Sequence, residues 1–300
     1  MDVRPFGAAA SFAREAAAYL TADPFSSSVV AVQVDGVLRG IRAPGPNDRY
    51  WTVVEADQTL GIAMHTPPHN VFVARMPAAA ASALAQSLAE TSEGLPGVTG
   101  ELGTVAAFVD RWTELTGEGS STGASLRMYR LAELKAPIGV GGRARPAAQD
   151  DVGVVAGWLE AFHDEVQQHA PTADWRAQAD QRVRAGQFVL WEDMWEDEPQ
   201  AVSVAAFSHA VAGVSRVGPV YTPPAQRRRG YGAAVTAQAT AAAVDAGAEH
   251  VVLYTDLSNR TSNAIYQAIG YRADHDAEER TFHHPRTRTS LEPGRQPASG

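Results

Sequence analysis

Apolar positions recur along the chain with helical spacing in some segments and with strand-like runs in others. The first half of the chain begins with a helical pattern over residues 11–22. A β-branched run from Ser28 to Val34 predicts a strand that ends at Asp35-Gly36, a hairpin-turn signal. Strands are then predicted over 50–55, 59–65, 70–75 and 125–131, and helices over 76–91 and 103–115.

The second half repeats this alternation of helices and strands. Helices are predicted over 152–168, 173–185 and 261–269, and an alanine-rich helix ends at about Ala246. Strands are predicted over 188–191, 201–208, 213–222 and 250–255 and from Tyr271. An acidic loop from Glu192 to Glu198, which could steer a cationic amine, is predicted between the first two of these strands.

Both halves place Thr-Pro-Pro between a strand and an alanine-rich helix, beginning at Thr66 and at Thr222. This repeat predicts two similar domains, in agreement with a length of 300 residues, because a domain typically holds about 150. The predicted division is a domain over 1–134, a Gly/Pro/Ala-rich linker over 135–147, a domain over 148–283 and a disordered tail over 284–300. The alternative for the first half is an unrelated α+β domain.

Composition excludes several classes of protein. The apolar fraction of 45% supports a folded core, and no window approaches the roughly 18 apolar residues of a membrane span. The chain has no cysteine, which excludes disulfides, thiolate metal sites and cysteine nucleophiles. A formal net charge of −9 argues against binding to nucleic acid. We therefore expect a cytoplasmic protein without a nucleic acid or membrane partner, and its oligomeric state is left open.

The most distinctive stretch links the strand over 213–222 to the alanine-rich helix. We call residues 227–233 the Arg-Gly loop, because three arginines precede Gly-Tyr-Gly-Ala there. The first amides of a helix lack intrahelical partners, and the helix dipole makes that end partly positive. Glycines allow an anion to approach the backbone, and arginines add bidentate donors. The Arg-Gly loop is therefore predicted to bind a pyrophosphate.

The spacing within the Arg-Gly loop distinguishes it from two common phosphate-binding motifs. A dinucleotide fold requires G-x-G-x-x-G, and Val235 stands where its third glycine would be. A Walker loop requires a lysine, and the only lysine of the chain is Lys135. The remaining pattern is [QR]-x-x-G-x-[GA], with Arg227, Gly230 and Gly232 at its fixed positions. Between a strand and a helix, this pattern resembles the acetyl-CoA loop of the GNAT-type N-acetyltransferases.

A second motif supports this resemblance. Asn259 precedes Tyr266 by seven residues, and Gln267-Ala268-Ile269-Gly270-Tyr271 follows, as in the Asn…Tyr…Gly-[FY] frame of GNAT enzymes. The resemblance covers residues 146–283 by motif and residues 10–132 by architecture alone. It implies an α/β fold with a mixed sheet, built from tandem GNAT-like (acyl-CoA N-acyltransferase) domains.

The first half lacks the residues that would bind the anion. Alignment of the two Thr-Pro-Pro segments places Val71, Ala74 and Met76 where the arginine and the two glycines of the motif stand. We therefore predict a degenerate GNAT-like domain that cannot hold a pyrophosphate, followed by a catalytic domain.

The resemblance also assigns residues to acetyl-CoA. In the family, the strand before the loop separates from its neighbour and pairs with the pantetheine arm, while loop amides hold the pyrophosphate. The predicted cofactor-binding residues are Val220, Tyr221, Thr222, Arg227, Arg228, Arg229, Gly230, Tyr231, Gly232, Ala233, Asn259 and Asn263. No metal site is predicted, because no third ligand accompanies His283-His284.

Tyr266 matches the tyrosine that lies beside the sulfur in the family. A phenol has a pKa of about 10 and a thiol of about 8.5, so a neutral tyrosine can protonate a departing thiolate. We predict Tyr266 as the general acid. The general base is predicted to be Glu165, on the first helix of the second half. The other base candidates of that region are Glu160, His163, Asp164 and His169.

These assignments predict an N-acetyltransferase that moves acetyl from acetyl-CoA to a small-molecule or peptide amine. Direct attack within a ternary complex is expected, because no cysteine is present to carry a covalent intermediate. Two alternatives remain open. One is a CoA-binding sensor or scaffold without activity, and the other is a transferase for a longer acyl-CoA.

Overall fold

The computed structural model describes residues 1–91, 94–166, 174–195 and 198–283. The strands are β1 (Asp2–Phe6), β2 (Arg49–Glu55), β3 (Gln58–His65), β4 (Val71–Val73), β5 (Gly97–Glu101), β6 (Gly119–Leu131), β7 (Arg143–Pro146), β8 (Phe188–Trp195), β9 (Glu198–Phe207), β10 (Val214–Tyr221), β11 (His250–Asp256) and β12 (Tyr271–His283). The α-helices are α1 (Ala9–Ala22), α2 (Ser28–Leu38), α3 (Ala78–Thr91), α4 (Leu102–Thr116), α5 (Val152–Glu165), α6 (Trp175–Arg184), α7 (Tyr231–Asp245) and α8 (Arg260–Ala268). None of these helices combines the length and the apolar character that a membrane span requires.

The twelve strands form one mixed sheet. Their order is β1-β2-β3-β4-β5-β12-β6-β11-β10-β9-β8-β7. The pairs β4–β5 and β10–β11 are parallel and occupy corresponding positions in the two halves. The mixed sheet and the repeated order of elements confirm the predicted α/β fold class.

Two long strands are exchanged between the halves. Strand β12, from the end of the second half, lies between β5 and β6 of the first half, and β6 lies between β12 and β11. The antiparallel β6–β12 ladder extends from the pair Tyr271 and Leu131 to the pair His283 and Gly119. Each half therefore completes its part of the sheet with a strand from the other half. The division at 134 and 148 stays a prediction, and it does not include this exchange.

Two segments predicted as connections contain strands. Strand β7 lies inside the predicted linker and pairs with β8. Glu192, predicted to begin an acidic loop, instead lies within β8, where its carboxylate accepts hydrogen bonds from Arg145 at 2.6 Å and Arg143 at 3.4 Å. Opposite charges on adjacent strands stabilise this pairing without an apolar pattern. Residues 196–197 of the predicted loop, like the predicted tail, lie outside the described residues.

The strand predicted from Ser28 to Val34 is wrong, because these residues form the start of α2. Val30, Ala31 and Val34 are buried at three- and four-residue spacing, and they pack in one apolar core with α1. Packing at the helical period outweighs the preference of β-branched residues for strands. Asp35-Gly36 consequently lies inside a helix rather than in a turn.

A small apolar cluster joins the two halves on the sheet face opposite α7. It contains the buried residues Met128, Val214 and Val252, and Phe25 and Tyr254 pack against it. Phe25 lies in the connection between α1 and α2, so the first half covers this part of β10 and β11. The face of the second half that is not covered by α7 is therefore partly enclosed by the first half.

Met128 tests whether the two halves share one cooperative sheet. Its side chain is fully buried on β6, between β11 and β12. We expect Met128→Ala to lower the free energy of unfolding by about 2–5 kcal/mol, because a buried methionine leaves a cavity when it is truncated. Chemical denaturation followed by tryptophan fluorescence checks this.

Met194→Ala is the matched control, because Met194 lies on β8 and is 60% exposed. Its effect should stay within about 0.5 kcal/mol. Denaturation of the wild type and of Met128→Ala should show one transition. Two transitions, of which Met128→Ala moves only one, would contradict a sheet that unfolds as a unit.

Candidate functional site

Strands β10 and β11 are paired over only part of their length. Their parallel ladder begins at Val214 with His250 and ends at Arg216 with Val252. Strand β10 continues to Tyr221 and pairs there with β9, after a register shift. At residues 217–221, one edge of β10 therefore has no partner among the described strands. We call this opening the β10/β11 gap, and it lies where the resemblance places the pantetheine arm.

The Arg-Gly loop connects the end of β10 to α7. Gly230 is the N-cap of α7 with φ of 88°, in the left-handed region that favours glycine. A Cβ atom at Gly230 would lie 2.8 Å from Cγ2 of Val140. At Gly232 the nearest atom to an added Cβ would be Oγ1 of Thr222, at 3.4 Å. Position 230 therefore requires glycine, whereas position 232 has room for alanine.

The backbone at the start of α7 can accept an anion. Among the described residues, the amides of Tyr231, Gly232 and Ala233 donate to no protein acceptor, and Ala234 is the first to donate, to the Gly230 carbonyl at 3.0 Å. The ring of Tyr231 is buried in the core beneath the loop. Open amides at a helix start are the arrangement that binds phosphates. The chain's own residues thus fit the pyrophosphate of coenzyme A.

Tyr231 also fixes the loop to strand β8. Its hydroxyl donates to Oδ2 of Asp193 at 2.5 Å. Hydrogen bonds from this hydroxyl and from the Met194 amide lower the pKa of Asp193 below its ordinary value. The buried ring and this hydrogen bond anchor one end of the loop, so the open amides occupy a defined position.

Glu165, at the end of α5, contacts the Arg-Gly loop. Its two carboxylate oxygens accept from Nη2 of Arg227 at 2.6 and 2.7 Å. Oε1 of Glu165 also accepts from the Tyr221 hydroxyl at 3.3 Å, and Nε of Arg227 donates to the Thr222 carbonyl at 2.8 Å. The structure therefore brings the predicted base and a predicted cofactor-binding arginine together as an ion pair. Both oxygens of the Glu165 carboxylate, either of which could accept a proton, already accept hydrogen bonds from Arg227.

The other base candidates are placed differently. Glu160 and Asp164 are exposed on α5. His163 is half-buried, its ring centre lies 4.4 Å from that of Trp175, and burial lowers its pKa. His169 lies outside the described residues. Within the described part of the chain, Glu160, His163 and Asp164 form no hydrogen bond with the Arg-Gly loop.

Tyr266 lies on α8 among other aromatic rings. Its ring centre is 6.5 Å from that of Tyr129 and 6.3 Å from that of Tyr271. Burial raises the pKa of Tyr266 to about 12. The hydroxyl is therefore protonated at neutral pH, as a general acid requires. Tyr129 belongs to β6, so the exchanged strand supplies part of the wall around Tyr266.

The two predicted asparagines hold the connection between β11 and α8. Asn259 caps α8 by accepting from the Ser262 amide at 3.0 Å. Asn263 donates to the carbonyls of Asp256 and Asn259, at 2.8 Å each, and accepts from the Tyr129 hydroxyl at 2.9 Å. These contacts give both side chains a structural role. Their contact with a cofactor stays a prediction.

Comparisons with known proteins agree with this geometry. Residues 201–281 match the family model of FR47-like proteins. An acetyltransferase from the GNAT family of Colwellia psychrerythraea aligns with a TM-score of 0.57 and 9% identity, over 95% of this chain and 100% of that one. A GCN5-related N-acetyltransferase from Sphaerobacter thermophilus aligns with a TM-score of 0.57 and 16% identity, over 88% of this chain and 94% of that one. A tandem GNAT protein from the clavulanic acid biosynthesis pathway aligns with a TM-score of 0.56 and 12% identity, over 94% of this chain and 98% of that one. No curated protein matches the sequence.

The chain has a tandem GNAT fold. The resemblance inferred from the Arg-Gly loop and the Asn…Tyr frame is thereby confirmed. At these low identities the likeness shows the fold alone.

The positions of the first half that the Thr-Pro-Pro alignment pairs with the Arg-Gly loop are buried and apolar. The Met76 amide donates to Oγ1 of Thr104 at 3.1 Å, and the Met76 side chain is buried. Val71 and Ala74 are also buried. Apolar side chains thus stand where the Arg-Gly loop has its arginine and glycines, and these positions precede α3, which begins at Ala78. The degenerate character of the first half stays a prediction.

Sequence reasoning missed a polar cluster on the sheet face opposite α7. The Tyr254 hydroxyl lies 2.9 Å from Nε2 of His275, and Nδ1 of His275 lies 2.8 Å from Oδ2 of Asp274. Nη1 of Arg216 donates to Oγ of Ser28 at 3.0 Å. We call these five residues the interdomain cluster. Tyr254, His275 and Asp274 thus form one continuous chain of polar contacts.

Burial controls the ionisation of two members of the interdomain cluster. The Arg216 guanidinium lies 5.2 Å from the centre of the Tyr254 ring. Burial raises the pKa of Tyr254 to about 12, an effect that the Arg216 charge opposes, and burial lowers the pKa of Arg216. The alternation of side chains along β11 could have placed Tyr254 on this face. Its partners could not be found, because β12 and α2 come from distant segments.

Gly230 and Gly232 form a matched pair for a test of the Arg-Gly loop. We expect Gly230→Ala to lower the free energy of unfolding by about 1–2 kcal/mol, because a side chain is strained at positive φ. Gly232→Ala should change it by no more than about 0.5 kcal/mol. Chemical denaturation measures both. Equal effects of the two substitutions would contradict the described loop conformation.

Proposed function

We propose that this tandem GNAT protein is an acetyl-CoA-dependent N-acetyltransferase whose active site lies in its second half. Acetyl passes directly to an amine within a ternary complex. The observation that carries the proposal is the β10/β11 gap next to the open amides of the Arg-Gly loop. The gap offers strand-like pairing to a pantetheine arm, and the amides offer donors to a pyrophosphate.

The binding roles follow from these two features. The backbone of Val220, Tyr221 and Thr222 pairs with the amides of the pantetheine arm, and residues 227–233 bind the pyrophosphate. Bound acetyl-CoA supplies an activated thioester carbonyl for attack by the acceptor amine. A backbone amide at the edge of the β10/β11 gap polarises this carbonyl oxygen as negative charge develops on it.

Tyr266 donates the proton that the leaving group requires. As the acceptor nitrogen forms a bond to the carbonyl carbon, the carbon–sulfur bond breaks, and the Tyr266 hydroxyl proton passes to the sulfur. Solvent then returns a proton to the tyrosine. The aromatic neighbours Tyr129 and Tyr271 limit access of water and keep the hydroxyl protonated until that step.

Glu165 remains the proposed base, and Arg227 controls its availability. A pyrophosphate in the Arg-Gly loop competes with the Glu165 carboxylate for the same guanidinium. Once Arg227 turns to the phosphates, Glu165 is able to accept the proton that the amine loses.

Charge reversal in the Arg-Gly loop tests cofactor binding. The double variant Arg229→Glu, Gly230→Asp should weaken CoA binding at least about 100-fold, because it sets two carboxylates against the phosphates and strains the helix start. Isothermal titration calorimetry measures the affinity. Arg14→Glu, on the exposed face of α1, makes the same charge change as the first substitution and should bind CoA like the wild type. Unchanged affinity in the double variant would refute this site.

Substitution of Tyr266 tests the chemical step. Tyr266→Phe should lower kcat about 100-fold without weakening acetyl-CoA binding, because it removes only the donated proton. Thiol release from acetyl-CoA with a panel of amines measures kcat. Tyr50→Phe, in the core of the first half, is the control and should leave kcat unchanged.

Three outcomes of this assay are informative about the proposal. An unaltered kcat in Tyr266→Phe would remove this tyrosine as the acid. CoA binding without any thiol release by the wild type would favour the sensor or scaffold. Faster release from a longer acyl-CoA than from acetyl-CoA would replace acetyl as the transferred group.

A further inference from the structure

Arg216 is a cation without a carboxylate partner at the edge of the β10/β11 gap. Within the described part of the chain it forms no ion pair, and its side chain donates one hydrogen bond, to Ser28. Arg216 is partly exposed, and burial lowers the pKa of its guanidinium. Two other arginines of this region have carboxylate neighbours: Arg75 lies 3.7 Å from Asp23, and Arg130 lies 3.9 Å from Asp274.

The surroundings of Arg216 favour a charged ligand group. A guanidinium that is partly removed from water is costly unless a negative charge balances it. The face of the Tyr254 ring compensates only part of this cost. A carboxylate would balance the charge and accept two parallel hydrogen bonds from the planar guanidinium. The buried Ser28 hydroxyl accepts from Nη1 of Arg216 and thereby orients the guanidinium.

Arg216 occupies the acceptor side of the proposed active site. It belongs to the last residue pair before the β10/β11 gap opens. Its neighbours Val252 and Tyr254 face away from α7, toward the cluster that Phe25 of the first half covers. The proposed acyl donor is held from the α7 side, by the Arg-Gly loop. The opposite face, with Arg216, remains for the amine.

We propose that the acceptor is an amine that carries a carboxylate, as amino acids and peptides do, and that Arg216 binds this carboxylate. Ser28 assists from α2, so the first half takes part in acceptor recognition. This inference rests on the proposed N-acetyltransferase function. A carboxylate on the acceptor would supply the negative charge that Arg216 lacks among the described residues. Arg216 lies two residues before Gly218, at the end of the β10–β11 ladder.

Matched pairs of acceptors test the inference. Each pair contains an amino acid and the amine that lacks its carboxylate: glycine with methylamine, alanine with ethylamine, phenylalanine with phenethylamine, and lysine with cadaverine. Thiol release by the full chain gives kcat/KM for each. We expect the wild type to favour the carboxylated member at least about 30-fold, as for a buried charge pair.

Substitutions at Arg216 should lower this preference. Arg216→Gln should abolish it, because kcat/KM should fall at least about 30-fold more for the carboxylated member of each pair than for its partner, a split that a purely structural role would not produce. Arg216→Lys should keep part of the preference, because an ammonium retains the charge but lacks the fork geometry. Arg130→Gln is the matched control, because Arg130 also lies over an aromatic ring, 4.8 Å from Phe25, and it should keep the full preference.

The outcomes separate this inference from the proposed function. Equal rates for both members of every pair would overturn the inference and leave N-acetyl transfer in place. Arg216→Gln that slows both members equally would do the same. Absence of thiol release by the wild type with every amine would overturn the proposed function, and the inference with it.

Discussion

The antiparallel ladder between β6 and β12 is the interaction on which the rest of the structure depends. It joins five strands of one half to five strands of the other in a single sheet. Because β6 lies beside β11, Tyr129 reaches Tyr266 and Asn263. Because β12 lies beside β6, His275 reaches Tyr254. The walls of the candidate site therefore come from both halves of the chain, although the Arg-Gly loop belongs to one.

The two halves of the tandem GNAT fold differ in their residues at the position of the Arg-Gly loop. The arginine and glycines of the Arg-Gly loop precede open amides at the start of α7, whereas the aligned positions of the first half, Val71, Ala74 and Met76, are buried and apolar. The first half nevertheless contributes β6 to the sheet and Ser28 to the interdomain cluster. Its role in our account is to complete the sheet and to enclose the acceptor side. A second catalytic centre is not needed to explain its presence.

Features with a local physical cause could be predicted from the sequence. The Arg-Gly loop, the strand before it and the helix after it follow from glycine conformation and helix-end chemistry within about 30 residues. The strand exchange could not be predicted, because many pairings satisfy the same apolar pattern. The contact of Arg216 with Ser28 joins residues 188 positions apart, and that of Arg227 with Glu165 joins residues 62 apart. The helix at Ser28 was missed for the same reason, because packing rather than local preference determines it.

The central claim is that the open amides at the start of α7 hold the phosphates of coenzyme A. A crystal structure of the full chain soaked with CoA tests it most directly. We expect pyrophosphate oxygens within about 2.7–3.2 Å of the amide nitrogens of Tyr231, Gly232 or Ala233. Coenzyme A bound elsewhere, with this helix start empty or covered by its own chain, would contradict the account.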